Sequence, residues 1–153
     1  MNRKIELSPV QGYNKVFDVG EYGMKLTKFG LIKLANGTSY AGETGETEVA
    51  LVLMGGNFAA KGDGWSFEVT DGRKNPFTGK PYCLYLPRRT AYTLTALSDV
   101  ELAYNASPAT RDTAKPTLIR GCPPSGRDAL RNPYLWWLQY DGYQLLRCSQ
   151  RES

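Results

Sequence analysis

From about residue 23 to residue 106, apolar and polar side chains alternate with a period of two, in short runs separated by glycine- and asparagine-bearing turns. Successive side chains on a strand point to opposite faces, so this is the signature of extended chain. Leu26 to Leu34 is partly apolar on both faces. In Trp65–Val69, Trp65, Phe67 and Val69 alternate with Ser66 and Glu68. Tyr82, Leu84 and Leu86 share one side of their run, as do Tyr92, Leu94 and Ala96, and Val100, Leu102 and Tyr104. Glu48 to Met54 is apolar on both sides, with Val49, Leu51 and Leu53 opposite Ala50, Val52 and Met54, which predicts a strand covered on both faces. Asn36-Gly37, Gly55-Gly56-Asn57, Gly62-Asp63-Gly64, Asp71-Gly72 and Ser98-Asp99 break the runs. Gly and Asn tolerate the positive φ of tight hairpins. Short strands at this spacing predict an all-β sandwich or barrel, and no sustained helical stripe competes with it.

The character of the chain changes near residue 107. Ser107-Pro108-Ala109-Thr110 reads as a linker, and Pro116, Pro123, Pro124 and Pro133 punctuate the residues after it. We therefore expect a β-domain over residues 1–110 and an irregular, basic, proline-containing tail over 111–153. The tail carries 7 basic and 4 acidic side chains, against 12 and 11 in the body, and so supplies most of the net charge of +4. Its one strongly apolar stretch is Tyr134-Leu135-Trp136-Trp137-Leu138, an interface patch or a sticky surface.

The chain contains no histidine. That excludes a Ser-His-Asp triad, a Cys-His dyad, an imidazole acid or base and any histidine-ligated metal. Cys83, Cys122 and Cys148 form no CxxC pair, and their odd number suits reduced thiols in a cytoplasm. The basic residues never form a run, which argues against nucleic acid as a partner. The longest apolar run, Val49 to Met54, is too short to span a membrane, and no apolar stretch of signal-peptide length comes after Met1. The expectation is a cytoplasmic protein with no membrane partner.

Several blocks resemble one family. They are Phe29-Gly30-Leu31-Ile32-Lys33-Leu34, the stretch Gly45 to Gly56, Pro81-Tyr82-Cys83-Leu84-Tyr85-Leu86-Pro87, Leu94-Thr95-Ala96 and Glu101 to Ala109. Together they resemble the N-terminal half of the 5-deoxy-glucuronate isomerases of myo-inositol catabolism, which are two-cupin proteins. The resemblance covers roughly residues 10–120 and implies a cupin-like jelly-roll barrel. It also implies an aldose–ketose isomerisation for the whole protein, with the metal-binding histidines in a C-terminal cupin. The tail from Gly121 onward does not resemble the family's linker, so we expect a truncated or frame-disrupted product, about half of the expected protein.

The general cupin pattern can be laid over the same residues. Its first motif resembles Gly37, five residues, then Glu43-Thr44-Gly45 where His-x-His would stand, then Glu48 and, after six more residues, Gly55. Its second resembles Pro87-Arg88-Arg89-Thr90-Ala91-Tyr92, with Arg in place of glycine and Tyr in place of histidine. A single surviving carboxylate cannot hold a transition metal, so no metal and no cofactor are expected in this chain.

The candidate ligand-binding residues are Glu43, Glu48, Tyr85, Arg88 and Tyr92; no catalytic residue is assigned. Glu43, Glu46 and Glu48 could help bind a hard cation or could simply be a solvated loop. Glu48, if inward, needs a partner such as Arg88 or Arg89. Tyr82, Tyr85, Tyr92 and Tyr104 could line a sugar-sized pocket or pack as ordinary core. Two functions suit these residues: a structural half of a sugar-acid isomerase, or a metal-free small cupin whose Arg88 and Arg89 grip a sugar-acid carboxylate. The expected partners are a sugar acid and either a second copy of the chain or a C-terminal cupin.

Overall fold

Strand β4 (Thr47–Gly55) is an inner strand of a six-stranded sheet and shows how its neighbours are arranged. Val49, Leu51 and Leu53 are fully buried, while Ala50, Val52 and Met54 on the other side are half-buried. The strand is therefore covered on one face only. The expectation of two covered faces fails because no element packs over the outer side among the described residues, and side chains there shield only one another.

The computed structural model describes residues 5–111 and 114–121. Ten strands account for most of them. They are β1 (Gly12–Phe17), β2 (Lys28–Leu34), β3 (Ser39–Glu43), β4, β5 (Phe58–Gly62), β6 (Trp65–Val69), β7 (Tyr82–Leu86), β8 (Ala91–Ala96), β9 (Val100–Pro108) and β10 (Thr117–Arg120). A 3-10 turn, Glu21–Gly23, lies between β1 and β2. All pairings are antiparallel and build two sheets, ordered β1-β2-β9-β4-β7-β10 and β3-β8-β5-β6. This is an all-β jelly-roll of the cupin type. Among the described residues no helix is long and apolar enough to cross a membrane.

The inner faces of the two sheets make one core. Ile32, Leu34, Leu84, Leu86 and Leu102 come from the larger sheet, and Phe58, Val69, Leu94 and Ala96 from the smaller. Fully burying a large apolar side chain of this kind stabilises the fold by about 1.5–3 kcal/mol. The alternation in β6, β7, β8 and β9 gives the correct inner face in every case. The turns also fall where glycine marks them. At Gly56, φ is +95° and a Cβ would run into the Asp99 carbonyl, so only glycine fits.

Four strands carry little sequence signal. β1 is polar and broken by a bulge between Lys15 and Phe17, β3 is Ser-Tyr-Ala-Gly-Glu, and β5 is alanine- and glycine-rich. β10 lies within the stretch expected to be an irregular tail, where Thr117–Arg120 pairs with Tyr82–Tyr85. The compact unit thus runs on to Gly121. Cys122, Cys148, Trp136 and Trp137 lie outside the described residues.

Candidate functional site

Two loops form one mouth of the barrel. The β3–β4 loop is tied to the β7–β8 loop through Thr44, the one buried polar residue among those described. Its hydroxyl donates to the Pro87 carbonyl (2.8 Å) and accepts from the Thr90 amide (2.9 Å). The Arg89 amide donates to the Gly45 carbonyl (2.7 Å). Arg89 takes a left-handed φ of 56°, which turns the chain sharply between the two strands.

Below these loops four phenols meet inside the barrel. Tyr13 packs edge-on against Tyr104, with ring centroids 5.1 Å apart, and Tyr40 lies 6.4 Å from Tyr92. Strand register explains the convergence, since Tyr13, Tyr40, Tyr92 and Tyr104 all occupy inward positions of their strands. Glycines opposite them give the rings room. A Cβ at Gly30 would strike the Tyr13 ring, and one at Gly42 would strike the rings of Tyr92 and Tyr40. Lys28 Nζ sits 5.9 Å from the Tyr104 ring centroid, a cation–π contact at the rim. The Tyr13 hydroxyl is buried with no hydrogen-bond partner among the described residues. Burial holds the protons of all four phenols more tightly than in water. Tyr13 is pushed up to about 12, and Tyr92 is raised further by burial and by its phenol neighbours. At neutral pH these groups are uncharged phenols, able to donate a hydrogen bond, and do not act as bases.

The five residues singled out in the sequence do not share one site. Tyr92 is buried within the phenol cluster. Glu43 pairs with Ala91 and points to the exposed outer face of the smaller sheet. Glu48 and Tyr85 are together, but on the outer face of the larger sheet, where the Tyr85 hydroxyl donates to Glu48 Oε2 (2.9 Å). Burial and that carboxylate push Tyr85 up to about 12. Glu48 therefore points outward and its partner is Tyr85, contrary to the expected pairing with Arg88 or Arg89. Both arginines turn instead to Glu46, at 3.0 Å from Arg88 Nη1 and 2.9 Å from Arg89 Nε. Tyr82 faces inward and donates to Asp71 (2.6 Å), while Tyr104 joins Tyr92. Tyr13 and Tyr40 lie on strands the sequence did not reveal. The only hint of their role was the tyrosine count itself.

These residues do not fit the metal of a cupin. The second-motif position holds a buried phenol, Gly45 has no side chain, and the carboxylates of Glu43 and Glu48 lie on outer faces of different sheets. Among the described residues no three His, Cys, Asp or Glu side chains gather closely enough to hold an ion. Cys83, half-buried on the larger sheet, has its thiol pushed up to about 11 by burial.

A family model described as KduI/IolB matches residues 8–122. The chain belongs to the KduI/IolB family. Among solved structures it is similar to an IolB-like protein from Salmonella typhimurium LT2, at 26% identity and TM-score 0.59, over 72% of this chain and 45% of that one. The chain thus spans less than half the length of that relative. It is also similar in fold to an RmlC-like cupin protein from Desulfovibrio desulfuricans, at 17% identity and TM-score 0.50, over 71% of this chain and 97% of that one. A comparison with curated proteins returns no match. In KduI/IolB terms, then, this is a cupin-like domain whose inner chamber is furnished with phenols.

Proposed function

We propose that this chain is the non-metal cupin half of a 5-deoxy-glucuronate isomerase-like protein, with a scaffolding or partner role. The reaction in view interconverts 5-deoxy-glucuronate and 5-dehydro-2-deoxy-gluconate. An aldose–ketose isomerisation moves a proton between neighbouring carbons through an enediol, so it needs a base active near neutral pH and a group that stabilises the enediol oxygens. Tyr92 carries the reading. Where a cupin of the general pattern has an imidazole, this chain has a buried phenol whose proton is held above its ordinary range, ringed by three more phenols. Glu46 is engaged by two arginines. The base and the metal of the reaction then belong to a separate, histidine-containing C-terminal cupin, and this barrel takes no cofactor. A cytoplasmic setting, without nucleic-acid or membrane partners, goes with that role.

The test is an isomerase assay on the chain alone and mixed with a histidine-containing C-terminal cupin of the family. The chain alone should show no turnover and carry less than about 0.1 equivalent of zinc or manganese, since no imidazole is available as a ligand. Turnover by the isolated chain that survives chelation would overturn the proposal.

One observation favours the second reading, a metal-free cupin that binds a sugar acid. The orphaned Tyr13 hydroxyl is a buried hydrogen-bonding group that a ligand hydroxyl could satisfy. Against it, Arg88 and Arg89 are already committed to Glu46 and do not offer a bare cationic fork. A thermal shift of several degrees with a sugar acid would favour this reading over the first.

A further inference from the structure

The antiparallel registers fix which side chains share the outer face of the six-stranded sheet. One row across it runs from the polar Asn14 at the β1 edge through Leu31, Ala103, Val52 and Cys83 to Ile119. The adjoining row holds Phe17, Phe29, Ala50 and Tyr85, with the neutral Asn105 among them, Thr117 at its β10 end and the Phe17 and Phe29 rings 5.8 Å apart. Lys33 and Glu101 border this band at one end and Glu48 at the other. An apolar centre enclosed by a polar rim is the anatomy of a protein–protein interface. No element of the described fold packs over it.

We propose that this face binds the same face of a second copy of the chain. Six strands at about 4.8 Å spacing and four rows of side chains cover roughly 600 Å² per copy, or about 1,200 Å² for a pair, which reaches the range of specific interfaces. The centre of the band carries no charge, so two copies meet without burying an unpaired ion. Two twisted sheets pack face to face about 10 Å apart as in any β-sandwich. A face that meets itself closes with two-fold symmetry and leaves no second sticky surface. The outer face of the four-stranded sheet does not serve in the same way, because Lys61 on the inner strand β5 and Glu68 on the edge strand β6 bring charges onto it. The inference goes beyond the isomerase reading and does not rest on it.

The test is sedimentation velocity on the full chain between about 1 and 100 µM, a span that covers ordinary interface affinities. The native protein should sediment as a pair of 17.0 kDa chains. Val52→Lys places two like charges at the centre of the pair and should raise Kd by about 100-fold or more. Its side chain points away from the core, so circular dichroism should be unchanged. Leu31→Lys, on another strand, should do the same and decides the matter if Val52→Lys fails to fold. Thr93→Lys, on the smaller sheet, should leave the dimer intact. A native protein that stays at 17.0 kDa at about 100 µM overturns the proposal, whether a tail or another domain covers the face. So does a dimer that survives both lysine substitutions. An isomerase assay that contradicts the scaffold role leaves both results standing.

Discussion

The two sheets contribute alike to the core and differ on the side that faces away from it. On the four-stranded sheet the larger outer side chains are polar, Ser39, Glu43, Thr93, Thr95, Lys61, Ser66 and Glu68, with the small Ala41, Ala59 and Ala91 between them, and a shallow cleft of about 430 Å³ there is lined largely by them. Ser39 and Thr95 bond each other across the strands at 3.1 Å. On the six-stranded sheet the same positions are mostly aliphatic, aromatic or thiol. The first surface is at home in water; the second leaves apolar area half-covered. Strands with equally deep inner burial can therefore have quite different obligations outside, and it is the outer face that separates a finished surface from one that wants a partner.

The largest expected effect sets the two sides of β4 against each other. Leu51→Ala, inside, should cost about 3–4 kcal/mol in chemical denaturation, and Val52→Ala, its neighbour in the chain, less than about 1 kcal/mol. Equal losses would mean that the outer face is as well packed as the core. Next comes Gly42→Ala on the smaller sheet, whose new methyl meets the Tyr92 ring and should cost about 1–3 kcal/mol. Thr93→Ala on the outer side of β8 should cost less than about 0.5 kcal/mol. If the clash with Tyr92 is the cause, Tyr92→Leu should restore part of the loss in Gly42→Ala.

Alkali gives a third contrast. Tyr13 and Tyr92 inside, and Tyr85 outside, all have folded-state values raised above an ordinary phenol. Between about pH 10 and 12 the unfolded chain loses these protons and the folded chain keeps them, so fewer are bound on unfolding and stability falls as pH rises. The contribution is fully present below about pH 10 and is lost as pH climbs through the folded values. Each such phenol adds a slope of about 1.4 kcal/mol per pH unit at most. Denaturation midpoints measured from about pH 8 to 12 should be flat and then drop, and Tyr85→Phe should remove the smaller, outer share. Stability that rises above about pH 10 would contradict the burial of the cluster. The smallest effect belongs to the mouth, where Glu46→Gln should change stability by less than about 0.5 kcal/mol, because the Glu46 side chain is two-thirds exposed (66%).

Much of the barrel was legible in the chain. Strands β6 to β9 and the inward side of each come from alternation, because the phase of a strand is a local property. The weak strands were not legible, since Ser-Tyr-Ala-Gly-Glu and Phe-Ala-Ala-Lys-Gly owe their extended form to neighbours and not to pattern. The candidate site was legible only in part. Tyr92 lies in the inner chamber, but Glu43, Glu48, Tyr85 and Arg88 scatter over two outer faces and the rim. A motif overlay counts residues along the chain, whereas direction alternates with every residue.

The amino-acid sequence by itself determined the β-class, the turn positions and the absence of imidazole chemistry, since these rest on local geometry and on residue type. The tertiary structure decided that four phenols converge on one chamber, that Glu48 finds Tyr85 across a 37-residue separation, and that among the described residues only one face of β4 is covered. Those outcomes depend on which strands become neighbours. Neighbours far apart in the chain are chosen by the packing of the whole core, and a single run of residues carries no record of that choice.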